Sequence, residues 1–115
     1  MDKSLRFSFT SWKKPEFRSG CKLKYLIYQS EWTKEGKIHY QGYVETMNEY
    51  TIYQIKNILK DKTVHVEIAN KSRSANTFYC TKVETFAGYR YMNDYTFEEE
   101  HIVDMPIFDI TYLPP

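Results

Sequence analysis

The stretch KIHYQGYVE, residues 37–45, alternates apolar and polar side chains with the period of a half-buried β-strand. Side chains two positions apart share one face of a strand, so the stretch divides into two sets: Ile38, Tyr40 and Val44 against His39, Gln41 and Tyr43. We expect the first set to anchor the strand to the core. The second set is unusual, because a solvated strand face more often carries lysine, threonine or glutamate than histidine and glutamine.

Further strands are predicted on both sides of this stretch. Alternating, or β-branched and aromatic, segments occur at residues 5–12, 22–32 and 63–69, and residues 88–95 are a candidate last strand. In the first of these, Leu5, Phe7 and Phe9 would share one face, and we expect Trp12 to be partly in the core. The segment TKEGK predicts a hairpin turn into residues 37–45, since Gly36 permits backbone angles that other residues avoid.

Two segments have the features of helices. The segment NEYTIYQIKNILKDK places apolar side chains at i, i+3 and i+7, and either Thr51 or Asn48 is available as its N-cap. A second, short helix is predicted to begin after Ser72 or Ser74 and to run to about Lys82. Hairpin-linked strands with two helices predict an α+β fold, a central antiparallel sheet of about five strands with flanking helices.

The charges are distributed unevenly along the 115 residues, which suffice for one domain. Residues 1–82 contain fifteen Lys and Arg against eight Asp and Glu, a net charge of +7, whereas residues 83–115 contain one Arg against seven acids, a net charge of −6. We expect a basic, polyanion-binding domain at residues 1–96 and an acidic tail or linker at residues 97–115. Chance clustering of charges is the alternative interpretation.

Several classes of protein are disfavoured by the sequence. It contains no apolar run near the roughly 20 residues that cross a bilayer, and no Gly-rich phosphate loop of a nucleotide-hydrolysing domain. Cys21 and Cys80 have neither CxxC nor metal-finger spacing, so we interpret them as reduced thiols of an intracellular protein.

His39 and Gln41 project from one strand face and lie within reach of a single ion. An imidazole nitrogen and an amide oxygen, joined by a carboxylate, would form a mixed site that suits Mg²⁺ or Mn²⁺. Glu31, on the preceding strand of the hairpin, is the favoured carboxylate, and Glu35 at the turn is the rival. Ordinary surface hydrogen bonding of His39 and Gln41 remains the alternative from this short pattern alone.

Tyr79 and Lys82 form a second pair, three positions apart and therefore on one face of the predicted helix. A tyrosine hydroxyl, with an ordinary pKa near ~10, needs assistance from a metal or cation to act as a nucleophile at neutral pH. The chain also offers residues for contacts with DNA phosphates and bases: Thr10, Trp12, Lys13, Lys14, Lys71 and Arg73. With eleven tyrosines in the chain, a Tyr-x-x-Lys pair alone is weak evidence.

The three segments FTSW, HYQG and FYCTK, taken together, resemble in order and spacing the Rep family of HUH endonucleases. Those enzymes initiate rolling-circle replication of small circular single-stranded DNA genomes, as in circoviruses and nanoviruses. His39-Tyr40-Gln41 resembles the Gln form of the second motif, and KYLIYQSE resembles the segment whose acid completes the metal site. The first motif departs from the pattern, because Ser11-Trp12-Lys13-Lys14 replace the usual residues between Thr10 and Pro15.

This resemblance implies a metal-dependent, sequence-specific single-stranded DNA endonuclease and strand-transferase. Tyr79 would be the nucleophile and would form a 5′-phosphotyrosine link, with Lys82 beside the phosphate. Glu31, His39 and Gln41 would hold Mg²⁺ or Mn²⁺. The implied partners are a replication origin, as a single-stranded or stem-loop DNA, and a helicase domain or other replication proteins, with no membrane; the implied compartment is the host nucleus for a eukaryotic virus and the host cytoplasm otherwise.

Two other functions remain open from the sequence. One is a non-catalytic RRM-like module that stacks single-stranded nucleic acid on the aromatics of its sheet. The other is a regulatory or assembly protein whose Tyr- and Trp-rich faces contact other chains. The enzyme is favoured because a polar His/Gln pair has no role in a stacking sheet, and because the chain has no RNP-like aromatic-glycine pattern.

Overall fold

A computed structural model of the chain describes residues 1–95 and the short strand at residues 110–111. The elements in chain order are β1 Lys3–Ser11, β2 Leu23–Trp32, β3 Ile38–Thr51, α1 Ile52–Ile58, β4 His65–Ile68, α2 Arg73–Tyr79, β5 Phe86–Asp94 and β6 Ile110–Thr111. The strands form one antiparallel sheet in the order β4-β1-β3-β2-β5-β6. The predicted α+β fold is confirmed, and the two-residue β6 raises the strand count to six.

The β2–β3 hairpin sets the register of the sheet. In the turn, the Thr33 amide donates to the Lys37 carbonyl oxygen over 2.7 Å, and Gly36 has a φ of 79°, which favours glycine. The hairpin pairs Glu31 with His39, and Gln29 with Gln41. β3 continues to Thr51, so the residues from Asn48, expected at the start of the helical segment, are extended instead.

The two helices cover opposite faces of the sheet. On the α1 face, alternate strand residues pack with the helix in the main core: Phe7, Phe9, Leu26, Tyr28, Val44, Ile55, Leu59 and Tyr91. On the α2 face, a smaller cluster contains Tyr25, Ile27, Tyr43, Ala69 and Cys80. The polar set of residues 37–45 therefore points to the side of α2, and its last member is buried beneath that helix.

Both helices begin at residues that the sequence offered as caps. The Thr51 hydroxyl accepts from the Gln54 amide, and the Gln54 side chain accepts from the Thr51 amide, which forms a capping box. The Ser72 hydroxyl accepts from the Ala75 amide at the start of α2. The prediction that this helix extends to about Lys82 is wrong, because α2 ends at Tyr79 and Lys82 lies in the following turn.

Gly42, within the stretch HYQG, gives the core its closest approach to β3. A Cβ at this position would lie 2.1 Å from the ring of Phe9 on the adjacent strand, which no side chain can tolerate. The aromatic ring of Phe9, exposed to only 1%, fills that space. The glycine between Gln41 and Tyr43 is thus a packing requirement of the main core.

Trp12 (60%) and Ile38 (39%), both expected in the core, are exposed instead, and so is Leu5 (44%), which was predicted to share a face with Phe7 and Phe9. Leu5 lies at an irregularity between Ser4 and Arg6, where the β1–β3 register shifts and the alternation of faces is broken. Ile38 pairs with Trp32 at the turn end of the hairpin, beyond the reach of the main core. The predicted tail at residues 97–115 lies outside the described residues, apart from the strand at 110–111.

Candidate active site

The sheet places Glu31 beside His39, as the favoured choice of carboxylate predicts. The two residues are direct partners in the β2–β3 register, and a Glu31 carboxylate oxygen, Oε1, lies 3.5 Å from His39 Nε2. Glu31 is only 2% exposed, whereas the rival Glu35 is exposed in the hairpin turn. The geometry therefore favours Glu31 as the acid that joins His39.

Gln41 lies on the same face, two residues along β3. Its Oε1 accepts a hydrogen bond of 3.0 Å from the hydroxyl of Thr10, its direct partner on β1. Thr10 thus fixes the position of the Gln41 amide within the sheet. The sequence did not predict this structural role. The assignment of Thr10 as a DNA-binding residue stays a prediction.

Lys82 approaches the same carboxylate from the turn after α2. Its Nζ lies 3.4 Å from Glu31 Oε1 and 3.8 Å from the centroid of the Tyr79 ring. Burial alone would lower the pKa of Lys82, but its interaction with Tyr79 and the charge of Glu31 outweigh burial and raise that pKa. Lys82 is therefore a cation at neutral pH, suited to stabilise negative charge rather than to accept a proton.

Tyr79 is the last residue of α2 and is 52% exposed, so its hydroxyl is open to a substrate. The predicted proximity to Lys82 holds even though the two residues do not share a helix face, because the chain turns after Cys80. Cys80 itself is 1% exposed, and burial, followed by the charge of Glu31, raises its pKa to about 12. The thiol beside Tyr79 is thus protonated and enclosed, and Tyr79 is the more accessible of the two side chains.

Comparison with known proteins identifies the chain at the level of family. The sequence profile of the family described as "Putative viral replication protein" matches residues 5–83. The chain belongs to this family. It is also 36% identical, over 63 residues, to the master replication protein of Subterranean clover stunt virus (strain F), covering 55% of this chain and 21% of that protein.

The family match includes Glu31, His39, Gln41, Tyr79 and Lys82, and it ends just before β5. Together the two comparisons support a Rep-like domain of circular single-stranded DNA viruses. The chain spans about a fifth of the length of the curated relative. Within the described part of the chain, no helix is long and apolar enough to cross a membrane.

The donor set of this family member fits a hard divalent cation. Within residues 1–95, no three side chains among His, Cys, Asp and Glu converge as metal ligands, and the candidate set supplies two such ligands and an amide oxygen. One carboxylate, one imidazole and one amide oxygen suit Mg²⁺ or Mn²⁺ better than a soft metal. Glu31 Oε1 is the carboxylate oxygen that faces His39, and the ammonium of Lys82 approaches the same oxygen.

An open cleft of about 1170 Å³ lies between α2 and the β1–β4 side of the sheet. Its walls carry Thr10, Gln41, Lys71, Tyr79 and Lys82, together with further polar and apolar side chains: His65, Glu67, Asn76, Phe78 and Val83. Gln41 of the first candidate pair and both members of the second, Tyr79 and Lys82, therefore line one concave surface. Phe78, which sequence analysis passed over within FYCTK, is 80% exposed there.

The other predicted DNA-contacting residues are placed differently from one another. Trp12 is exposed, with its ring centroid 6.0 Å from that of His39, and Lys13 is exposed beside it. Lys14 places its ammonium 4.2 Å from the centroid of the Tyr89 ring. Arg73 forms a bidentate pair with the buried Glu45, so its guanidinium has a structural role in the fold. Its predicted contact with DNA stays a prediction.

Gln29 and Arg90 also belong to the site, although sequence analysis did not select them. The Gln29 amide nitrogen donates to Glu31 Oε2 over 3.0 Å, and its Oε1 accepts from Arg90 Nε over 3.0 Å and from Nη2 over 2.8 Å. The position of Gln29 two residues before Glu31, on the same strand face, was an available signal. Arg90 carries no comparable signal, because its position depends on the pairing of β2 with β5.

Proposed function

We propose that this chain is a sequence-specific single-stranded DNA endonuclease and strand-transferase that initiates rolling-circle replication. The observation that carries the proposal is a chain of contacts in a member of a viral replication protein family: Lys82 contacts both Tyr79 and Glu31, and Glu31 lies beside His39. Neither pair is specific alone, but an exposed tyrosine, a permanent cation and a buried carboxylate beside a half-buried imidazole together are what phosphoryl transfer requires.

In the proposed reaction, the Tyr79 hydroxyl oxygen attacks the phosphorus of the scissile phosphodiester. The bond between phosphorus and the 3′-oxygen breaks, the tyrosine proton passes to solvent, and the leaving oxygen takes a proton and departs as a free 3′-OH. The product is a 5′-phosphotyrosine. Attack by another 3′-OH reverses the step and rejoins DNA without ATP, because the phosphotyrosine link conserves the energy of the broken bond.

Lys82 supports this chemistry through charge. Its ammonium lies against the Tyr79 ring, where it would stabilise the phenolate character that develops as the hydroxyl attacks, and it would orient the phosphate. Glu31 Oε1 lies 3.4 Å from Lys82 Nζ, and this ion pair keeps the ammonium close to Tyr79. The raised pKa of Lys82 means that this cation persists throughout the neutral range.

Glu31, His39 and Gln41 are the residues that would hold Mg²⁺ or Mn²⁺ in the proposed enzyme. A metal bound there would supply Lewis-acid polarisation of the scissile phosphate. The positions of these three residues are fixed by the sheet, because Glu31 and His39 are direct strand partners and Thr10 hydrogen-bonds the Gln41 amide.

The substrate must be single-stranded where it enters the cleft, since the tyrosine has to reach one phosphate along an extended strand. Lys71 is exposed on the cleft wall, and Trp12 and Phe78 expose aromatic surface on which bases could stack, each stacked base contributing about 1–3 kcal/mol. By contrast, a sheet face used for stacking in an RRM-like module would not need a buried carboxylate, whereas the α2 face of this sheet contains Glu31.

The test is covalent capture of DNA. The protein is incubated with Mn²⁺ and a 5′-labelled and a 3′-labelled form of an origin-like single-stranded oligonucleotide, and adducts are resolved on a denaturing gel. We expect a slower-migrating adduct with the 3′-labelled form and a shortened free product with the 5′-labelled form. Tyr79→Phe and addition of EDTA should abolish both.

Tyr53→Phe is the matched control, since Tyr53 is 62% exposed on α1 at the opposite face of the sheet. It should react as wild type does. An adduct that persists in Tyr79→Phe would refute the assignment of the nucleophile. Wild-type protein that binds such oligonucleotides but cleaves none of them would favour the non-catalytic binding module.

A further inference from the structure

Gln29 is a buried amide whose hydrogen bonds reach both halves of the candidate site. Its side chain is 0% exposed, and its nitrogen donates to Glu31 Oε2 over 3.0 Å and to the Lys82 backbone carbonyl over 2.8 Å. One amide group therefore contacts the carboxylate and the turn that follows the tyrosine. A buried amide that is fully hydrogen-bonded fixes its neighbours, because any movement would leave a polar group without a partner.

Arg90 determines which way this amide faces. Its guanidinium has only donors, and Nε and Nη2 both donate to Gln29 Oε1. The oxygen of the amide must therefore face β5, and the nitrogen must face Glu31. Arg90 Nη2 also donates to the Thr81 carbonyl over 3.1 Å, so Arg90 and Gln29 hold the carbonyls of two successive residues in the turn.

We propose that Gln29 and Arg90 are positioning residues that orient Glu31 for metal binding and fix the Tyr79–Lys82 turn. This inference rests on the proposed function. By occupying Glu31 Oε2, Gln29 leaves Oε1 directed at His39 and Lys82, which is the orientation that the metal set requires. Partners that orient a metal ligand in this way typically change metal affinity or activity by about 10–100-fold when they are removed.

With Arg90, the site includes a residue outside the part of the chain that the family profile matches. The profile ends at residue 83, whereas Arg90 lies on β5. Pairing of Gln29 with Arg90 in the β2–β5 register brings this late residue to within one amide group of Glu31. β5 thus serves the site as well as the sheet.

The test measures Mn²⁺ affinity by calorimetry on the whole chain without DNA, beside adduct formation at saturating Mn²⁺. Gln29→Met and Arg90→Met should each weaken Mn²⁺ binding about 10–100-fold. Because Arg90 acts through Gln29, the double variant should bind Mn²⁺ no more weakly than Gln29→Met alone. Arg90→Lys keeps one donor but loses the paired Nε and Nη2 donors. Its Mn²⁺ affinity should therefore lie between those of wild type and Arg90→Met.

Glu45→Gln is the matched control, because it disturbs another buried arginine pair on the same sheet face without contacting Glu31. It should lower thermal stability but leave the Mn²⁺ affinity of the folded protein unchanged. Thermal unfolding of every variant shows whether it folds, and Arg90→Lys keeps the test available if either methionine variant does not.

Variants at Gln29 and Arg90 that lose stability but bind Mn²⁺ as tightly as wild type, or whose effects on affinity simply add, would overturn the inference and leave the proposed function intact. Wild-type protein that neither binds Mn²⁺ nor forms an adduct would instead overturn the proposed function, and the inference with it.

Discussion

The carboxylate of Glu31 has polar partners from three separate segments. Gln29 lies on the same strand, His39 on the paired strand and Lys82 in the turn after α2. Because the side chain of Glu31 is only 3% exposed, these partners take the place of the water that its oxygens would otherwise contact. Glu31 therefore joins the sheet to the segment that carries Tyr79 and Lys82.

Replacement of Glu31 by glutamine tests this double role at the level of one residue. Glu31→Gln removes the charge that faces Lys82 and His39. It also replaces one carboxylate oxygen by an NH₂ group, which cannot accept a hydrogen bond from Gln29 or Lys82. We expect a loss of about 1–3 kcal/mol in the free energy of unfolding. Adduct formation should fall by at least about 100-fold, since Lewis-acid stabilisation is worth several kcal/mol and each ~1.4 kcal/mol is tenfold in rate.

The measurements are urea unfolding and the initial rate of adduct formation in Mn²⁺. Glu35→Gln provides the control, because that glutamate is exposed in the hairpin turn and should affect neither quantity. A Glu31→Gln protein with the wild-type rate would show that Glu31 is a structural residue only.

At the scale of elements, α2 is attached to the sheet through a buried ion pair. Arg73, in the first turn of α2, donates through Nε to Glu45 Oε2 over 2.9 Å, and Tyr43 donates to the same oxygen over 2.7 Å. Burial alone would raise the pKa of Glu45, but these hydrogen bonds outweigh burial and lower that pKa. The position of the helix that ends in Tyr79 therefore depends on an ionised Glu45.

This pair predicts a specific loss of stability in acid. Because the pKa of Glu45 is lower in the folded chain than in the unfolded one, where it is about 4.3, its contribution is complete above that unfolded value. It is lost as the pH falls through the folded pKa. We expect the stability difference between wild type and Glu45→Gln, measured by thermal unfolding from pH 7 to pH 2, to shrink progressively below about pH 4.

Asp61→Asn serves as a comparison, since the pKa of Asp61 is also lowered, chiefly by a hydrogen bond from Thr63, in a loop away from α2. Its variant should retain the part of the acid transition that depends on Glu45. A stability difference for Glu45→Gln that stays constant across this pH range would contradict the assigned role of the Arg73–Glu45 pair.

Local sequence patterns predicted these elements wherever one segment determines its own conformation. Alternation identified the strands, and Ser72 identified the start of α2, because side-chain period and capping act over a few residues. The end of α2 and the exposure of Trp12 were predicted wrongly, since both depend on where the chain turns in three dimensions. The contact of Gln29 with Arg90 joins residues 61 positions apart, and no local pattern encodes such a contact.

At the scale of the whole molecule, the cleft combines positive charge with exposed aromatic surface. Lys71 and Lys82 lie on its walls, and Phe78 projects beside Tyr79 with 80% of its surface exposed. Phosphate contacts supply affinity that falls with salt, whereas stacking supplies affinity that depends little on salt. The two kinds of residue should therefore be separable by the salt dependence of DNA binding.

We expect Lys71→Ala and Phe78→Ala to weaken single-stranded DNA binding in different ways. Lys71→Ala should reduce the slope of log affinity against log salt by about 0.7, the value for one phosphate contact on a single strand. Phe78→Ala should cost about 1–3 kcal/mol of binding free energy, the value of one stacked base, at an unchanged slope. The measurement is fluorescence anisotropy of a labelled oligonucleotide across a salt series, with Tyr79→Phe as background to prevent cleavage.

Lys60→Ala is the control for charge, because Lys60 follows α1 on the opposite face of the sheet and should alter neither slope nor affinity appreciably. Equal reductions in slope from Lys60→Ala and Lys71→Ala would show that the net charge of the domain, rather than the cleft, attracts DNA. An unchanged affinity in Phe78→Ala would show that bases do not stack beside the tyrosine. Because neither residue contacts Glu31, both outcomes separate DNA placement from the chemistry of the site.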